Sequence, residues 1–514
     1  MHLTQGLQRA AQTKPDGVST IFRDRRRIWR ETEDRIARLT SGLRRCGLGK
    51  GDRAAILALN SDRYFEYLFA VPTAGGITVP LNTRLAPPEI AYILEDSGAT
   101  MLFIDAAFAP VLTQLGGRLG AVRDIVYLDD DPVPAGMRGF EDLLDAPPFT
   151  GVVAEDDDVA GIFYTGGTTG QAKGVMLTHR NLVINAANIV VAVGYVSDSI
   201  YLHAPPMFHL ADNASTLAVT MLGGVHVFIP RFDPAAVTAS IEAERVTNTL
   251  LVPTMVNALV NYPGLDAHDL STLRMVPFGA SPMPDAVLAR ATEKLPGCRF
   301  LHVYGMTEAA PLVTALEPRD ALVPGRSRSC GKAALMVEVR IADAEDNEAP
   351  RGVVGEVQVR GPNVMLGYWN KPEQTAAALR GGWYHSGDGG YMDDDGYVYV
   401  VDRLKDMIIS GGENIYSAEV ESAISLLDGV AEVAVVAVPD DTWGEAVHAI
   451  VVPRAGRSLT GEQVIMHCRG LIAHFKCPRS VDVRDMPLPL SGAGKVLKTE
   501  LRAPFWVGRE KRVN

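Results

Sequence analysis

Short apolar runs of strand length alternate with amphipathic stretches along most of the chain, and that alternation limits the fold more than any other feature. Ile36, Leu39, Leu43 and Cys46 recur at helical spacing, and Gly47 supplies a stop. An apolar run at 54–59 follows, then an aromatic-rich helical stretch at 64–71, then a run at 77–80. Further strand-like runs lie at 101–104, 125–128, 225–229, 249–252 and 300–303. Runs of this length joined by helices build α/β layers around a substantially parallel sheet. The 514 residues are enough for two to four structural units with buried cores, and they contain no internal repeat.

A boundary is expected near residue 403. Asp393-Asp394-Asp395-Gly396 makes a turn and 397–401 a short strand. Beyond it, 419–427 reads as a helix, 430–438 as a buried strand and 462–473 as another helix. The expected division is a large N-terminal domain, 1–403, and a small C-terminal domain, 404–514. Composition narrows the function. With 47% apolar and 21% charged residues the chain is neither disordered nor fibrous. A net charge of −12 disfavours nucleic acid and anionic lipid, so any anionic ligand must be held by local groups. The uncharged stretch 181–197 is interrupted by Asn185 and Asn188, and no stable membrane insertion is expected. The start of the chain lacks the apolar core of a secretory signal, and five scattered cysteines suit a reducing compartment. A cytoplasmic protein is expected.

The most informative segment is Tyr164-Thr165-Gly166-Gly167-Thr168-Thr169-Gly170-Gln171-Ala172-Lys173-Gly174, set between two apolar runs. Its glycines allow close backbone approach, and its threonine hydroxyls and lysine suit a polyphosphate. An ordinary turn needs one or two glycines, not a run of threonines ending in lysine. A Walker loop is ruled out, because Ala172 and Gly174 flank the lysine where that motif needs Gly and Ser or Thr. Asp52 spoils a dinucleotide fingerprint after Gly47-Leu48-Gly49, and Met283 spoils a nucleophile elbow after Gly279-Ala280-Ser281. Neither a His-Glu-x-x-His site nor a Cys-x-x-Cys pair is present.

Four more motifs follow in order: Tyr304-Gly305-Met306-Thr307-Glu308, Gly387-Asp388, Asp402-Arg403-Leu404-Lys405-Asp406 and Gly494-Lys495. In this order the chain resembles the adenylate-forming enzymes, which include acyl-CoA synthetases, luciferases and peptide-synthetase adenylation domains. The resemblance runs from Gly51-Asp52-Arg53 and Pro80-Leu81-Asn82 to Lys495. It implies a large domain of layered sheets and helices and a small mobile α+β domain. It also implies two half-reactions. A carboxylate attacks the α-phosphate of ATP, with Mg²⁺, and coenzyme A then takes the acyl group and releases AMP.

By the same resemblance, Thr165, Gly166, Gly167, Thr168, Thr169, Gly170 and Lys173 hold the β- and γ-phosphates. Thr307 bonds the α-phosphate and Glu308 holds Mg²⁺; alone, that glutamate would read as a solvated surface charge. Tyr304 stacks on adenine beside the backbone of Gly279, Ala280 and Ser281, with His302 and Gly305 in the same nucleotide set. Asp388 and Arg403 bind the ribose. Lys495 bridges carboxylate and α-phosphate, as a point charge on a long stem can. Lys405 is the hinge about which the small domain turns, after which Ser410, Gly411, Gly412 and Glu413 line the coenzyme A channel.

The acid pocket is expected from His209, Ala211, Ser215, Val303, Met306, Pro311 and Leu312. Ala211 is small where plant hydroxycinnamate ligases tend to carry Tyr, and Val303 and His302 also depart from that pattern. With Pro311 and Leu312 apolar and no Asp at 276–280 to pair an amino group, an amino acid is disfavoured. The expectation is a medium- or long-chain fatty acid, with feruloyl- or coumaroyl-CoA formation as the alternative. A non-catalytic nucleotide sensor and a luciferase-like oxygenase are the rival classes, and the presence of both Glu308 and Lys495 argues against the sensor. No attached carrier domain is expected, and the expected partners are small molecules and a second copy of the chain as a homodimer.

Overall fold

The structure is a computed structural model that describes residues 1–151, 153–165, 171–281, 283–403, 406–411, 413–490 and 496–507, apart from the side chains of Arg403 and Asn414. An eight-stranded sheet forms one centre of the large domain. Its middle is parallel: Arg53–Leu57 lies between Ile77–Pro80 and Met101–Ile104, with Asp124–Tyr127 beyond. The other side turns antiparallel, where Val159–Thr165 pairs with Lys173–Thr178 and that strand with Gly367–Tyr368.

The helix Trp29–Arg45 shows how the pattern becomes structure. Trp29, Ile36, Leu39 and Leu43 lie on its buried face, each worth roughly 2 kcal/mol of apolar transfer. Gly42 lets that face approach closely, since a Cβ there would collide with the Leu143 carbonyl. The chain turns out at Gly47, which has a φ of 86°. The neighbouring helix Asp62–Thr73 is buried almost throughout, and Ser61 caps it by accepting the Tyr64 N–H at 3.1 Å.

A second sheet carries Ile200–His203, Val225–Phe228, Val18–Phe22 and Arg25–Ile28; a third carries Met275–Phe278, Arg299–Gly305, Leu312–Leu316 and Lys332–Ala333. Asn248 bridges them, pairing singly with Tyr201 and with Met275. The strand expected at 249–252 is therefore not formed. Met275 N–H bonds the Thr247 carbonyl and Leu251 N–H the Pro277 carbonyl, but the bond between them would need an N–H on Pro277, which proline lacks. The run then ends in the helix Pro253–Val260.

An antiparallel sheet of Glu338–Ala342, Gly355–Arg360, Tyr384–Met392 and Val398–Arg403 completes the large domain. The smaller C-terminal domain has its own sheet, Glu413–Ile415, Ile408–Ser410, Gly444–Pro453 and Val430–Asp440, with Ser480–Val483 alongside. Ile408, Ile424, Val435, Val447 and Val464 form a separate core there. Its first helix spans Ser417–Ser425, two residues earlier than expected, and its second spans Gly461–Arg469, ending four residues short of its apolar spacing. Among the described residues, no helix is long and apolar enough to cross a membrane.

Candidate active site

The strands Val159–Thr165 and Lys173–Thr178 form a hairpin whose last pair in register is Thr165 with Lys173. Gly166, Gly167, Thr168, Thr169 and Gly170, between them, lie outside the described residues. The helix Pro87–Ser97 grips both stems: Tyr164 OH donates to Asp96 at 2.6 Å, and Tyr92 OH donates to the Ala172 carbonyl at 3.2 Å. Tyr164 is held well above the ordinary phenol range by burial first and by Asp96 next, so it stays a donor.

The strand Arg299–Gly305 delivers the second motif. A Cβ at Gly305 would run into the Pro311 carbonyl, to which Met306 N–H bonds at 3.0 Å; the glycine lets the chain double back over itself. Thr307 and Glu308 sit on the resulting short turn, half-buried. Two asparagines secure it. Asn363 Nδ2 donates to the carbonyls of Ala309 at 2.7 Å and Leu312 at 3.1 Å, and Asn185 Oδ1 accepts Leu312 N–H at 3.0 Å.

Tyr304 OH donates to Asp388 at 2.6 Å, joining two of the predicted nucleotide residues. Burial, then Asp388, keeps this phenol well above its ordinary range. Asp388 stands opposite Arg403 in the strand register, which brings the two predicted ribose ligands together. Gly387 turns the chain with a φ of 69°, and its N–H bonds Glu356 at 2.9 Å. Gly279 runs so close to Val303 that a Cβ would strike that residue's carbonyl, which sets Gly279-Ala280-Ser281 beside the Tyr304 strand. His302 stacks on Phe278 with centroids 5.1 Å apart, and its Nδ1 lies 3.0 Å from the Ser329 carbonyl. Burial lowers its pKa, favouring the neutral ring.

His209 precedes the helix Leu210–Leu222 and packs its ring against Phe208 at 4.2 Å. Ala211 is half-buried on the first turn, and Ser215, one turn on, accepts Tyr195 OH at 3.2 Å. Val303, Met306 and Pro311 are half-buried and Leu312 is buried, all around the doubled-back turn. Ser410 and Glu413 face each other across a tight hairpin, with Gly411 (φ 62°) against Trp443. Gly412, Lys405 and Lys495 lie outside the described residues.

Two groups escaped the sequence reading. Asp212, fully buried, accepts Tyr201 OH at 2.9 Å and lies 2.7 Å from His203 Nδ1; His203 Nε2 is 3.0 Å from His226 Nδ1. The single charged residue in an otherwise uncharged helix is the available signal. The other is Tyr368, whose hydroxyl donates to Glu308 Oε1 at 3.0 Å.

Among the described residues, Lys173 and Glu308 meet at the Tyr368 ring and hydroxyl, and Asp388 meets the Tyr304 hydroxyl in the strand that leads to Glu308. Glu308 fits a divalent cation: it is a hard oxygen donor, half-exposed, with one oxygen oriented by Tyr368. The AMP-binding enzyme model matches residues 7–369, and the C-terminal domain model of AMP-binding enzymes matches 419–495. The chain belongs to the AMP-binding enzyme family. A feruloyl-CoA synthase of Amycolatopsis sp is 42% identical over 499 residues, covering 97% of this chain and 98% of that one. The long-chain-fatty-acid–CoA ligase FadD13 of Mycobacterium tuberculosis (strain CDC 1551 / Oshkosh) is 35% identical over 462 residues, 89% of each. The crystal structure of the anthranilate CoA ligase AuaEII in complex with anthranoyl-AMP superposes with a TM-score of 0.90 at 25% identity, over 98% of this chain and 97% of that one. This AMP-binding enzyme is an ATP-dependent acid–CoA ligase that uses ATP, Mg²⁺ and coenzyme A.

Proposed function

We propose that the acid is a hydroxycinnamic acid, ferulic acid being the representative. The observation that carries this is the 42% identity to a feruloyl-CoA synthase along 97% of the chain. The hydrogen-bonded hydroxyls of Tyr195 and Ser215, one helical turn on from Ala211, support it, because an aryl acid with ring oxygens calls for polar groups near the ring. A fatty acid is the second reading, favoured by the apolar Met306, Pro311 and Leu312 and by the likeness to FadD13. The test is thioester formation with ferulate, coumarate, benzoate and saturated acids of increasing length. The first reading expects kcat/KM for ferulate to exceed that for any saturated acid; the reverse order selects the second.

In the first half-reaction the carboxylate oxygen attacks the α-phosphorus of ATP and pyrophosphate leaves, giving an acyl-adenylate. Both reactants are anions, so fixed cations and donors are needed where charge develops. Lys173 and the hydroxyl-bearing loop 165–170 would take the departing pyrophosphate, Thr307 the α-phosphate, and Lys495 the carboxylate with the α-phosphate. Mg²⁺, held by Glu308, supplies Lewis-acid neutralisation of phosphate charge when bound. Tyr304, with Gly279, Ala280, Ser281, His302 and Gly305, would hold the adenine, and Asp388 with Arg403 the ribose. In the second half-reaction the coenzyme A sulfur attacks the acyl carbon, the bond to AMP breaks and AMP leaves.

The division at 403 and rotation of 404–514 about Lys405 between the half-reactions belong to the same proposal. They are supported by the separate C-terminal core. After rotation Ser410, Gly411, Gly412 and Glu413 would line the thiol's path. A cytoplasmic homodimer is the proposed state, checked by cell fractionation and by light scattering on the purified protein.

A further inference from the structure

Tyr368 occupies an unusual position between two opposite charges. It ends the two-residue strand Gly367–Tyr368, paired with Val175 in the strand that begins at Lys173. Backbone bonds fix it on both sides: Leu366 N–H to the Met176 carbonyl at 3.0 Å and Trp369 N–H to the Gly174 carbonyl at 2.7 Å. Its own N–H bonds Thr375 Oγ1 at 2.9 Å. The ring is buried, and the Lys173 ammonium sits 5.0 Å from its centroid. The hydroxyl donates to Glu308 Oε1 at 3.0 Å. One aromatic side chain thus holds a cation on its face and a carboxylate at its tip.

A lysine and a glutamate on neighbouring elements ordinarily collapse into an ion pair, which would leave neither charge for a ligand. Among the described residues no ion pair joins Lys173 to Glu308.

We propose that Tyr368 is a positioning residue that keeps the Lys173 ammonium and the Glu308 carboxylate apart, each oriented for its own partner, phosphate for one and a divalent cation for the other. This rests on the proposed roles of Lys173 and Glu308. Losing a hydrogen bond to a charged group weakens an interaction by roughly tenfold or more. Tyr368→Phe keeps the ring and removes the hydroxyl; Tyr368→Leu removes both.

The test uses the full chain complexed with a non-hydrolysable ATP analogue, with Mn²⁺ binding followed by electron paramagnetic resonance and nucleotide binding by calorimetry. Tyr368→Phe should weaken Mn²⁺ about tenfold while nucleotide affinity without metal stays within about twofold. Tyr368→Leu should weaken both. Glu308→Gln is the control for the underlying reading. If it shifts Mn²⁺ binding and Tyr368→Phe does not, the positioning role is overturned while the metal assignment stands. If Glu308→Gln leaves Mn²⁺ binding unchanged, the metal assignment itself is wrong and the proposal goes with it. Should Tyr368→Leu fail to fold, Tyr368→Phe with unchanged thermal unfolding still decides between the outcomes. Equal loss of metal and metal-free nucleotide binding in Tyr368→Phe would mark a merely structural role and also overturn the proposal.

Discussion

Charge placement at single residues divides what this chain does from what holds it together. Lys495 is proposed to bridge two anions in the first half-reaction alone. Lys495→Ala should therefore lower pyrophosphate formation by at least about 100-fold, while thioester formation from supplied acyl-adenylate stays near the parent rate; assaying the two half-reactions separately decides it. Asp212 belongs to the other category. It and His203 are both fully buried, so Asp212→Ala strands the imidazole and its hydrogen-bonded chain to His226. A loss of about 1–3 kcal/mol is expected for the buried donors left unsatisfied, read from the urea midpoint. The motif residues were legible because their types are chemically unusual at that spacing, as with the Thr-Gly run before Lys173. Asp212 and Tyr368 were not, since their meaning lies in partners from other elements: Tyr368 meets Glu308 across 60 positions of sequence.

At the scale of elements, the helix His179–Ile189 carries a pH-dependent term. His179 is buried, its ring stacked on His2 at 4.0 Å, and burial pulls its pKa down from 6.5 to about 3. A depressed folded-state pKa contributes stability that is present above 6.5 and lost as pH falls towards 3. Urea midpoints should decline over that window by a few kcal/mol in ΔG, roughly 1.4 per pH unit, and His179→Gln should flatten the decline. A parallel pH dependence in the variant would show that other groups dominate. The same scale explains where apolar patterning succeeds. Runs such as 77–80 and 101–104 became strands because both neighbours can complete their ladders. The run at 249–252 had equal apolar character, but its partner strand presents Pro277, a fact recorded 25 or more positions away from the run itself. In the small domain the second helix stops at Arg469 although apolar spacing continues beyond it.

For the whole molecule, the layered α/β architecture and a smaller C-terminal domain were readable from alternation and length, while the tie between Asp402 and the helix Ser417–Ser425 was not. If Lys405 is the pivot, Lys405→Pro should leave acyl-adenylate formation within about twofold and slow thioester formation more than tenfold, because proline fixes φ where rotation is required; equal rates in both halves would refute the pivot. The central claim is that the acid is activated as a mixed anhydride with AMP. The most direct measurement supplies ferulate labelled with ¹⁸O in the carboxylate, ATP, Mg²⁺ and coenzyme A, and follows the label by mass spectrometry. One labelled oxygen should appear in AMP for each thioester formed. Label in inorganic phosphate with ADP as co-product, or thioester without labelled AMP, would contradict the account.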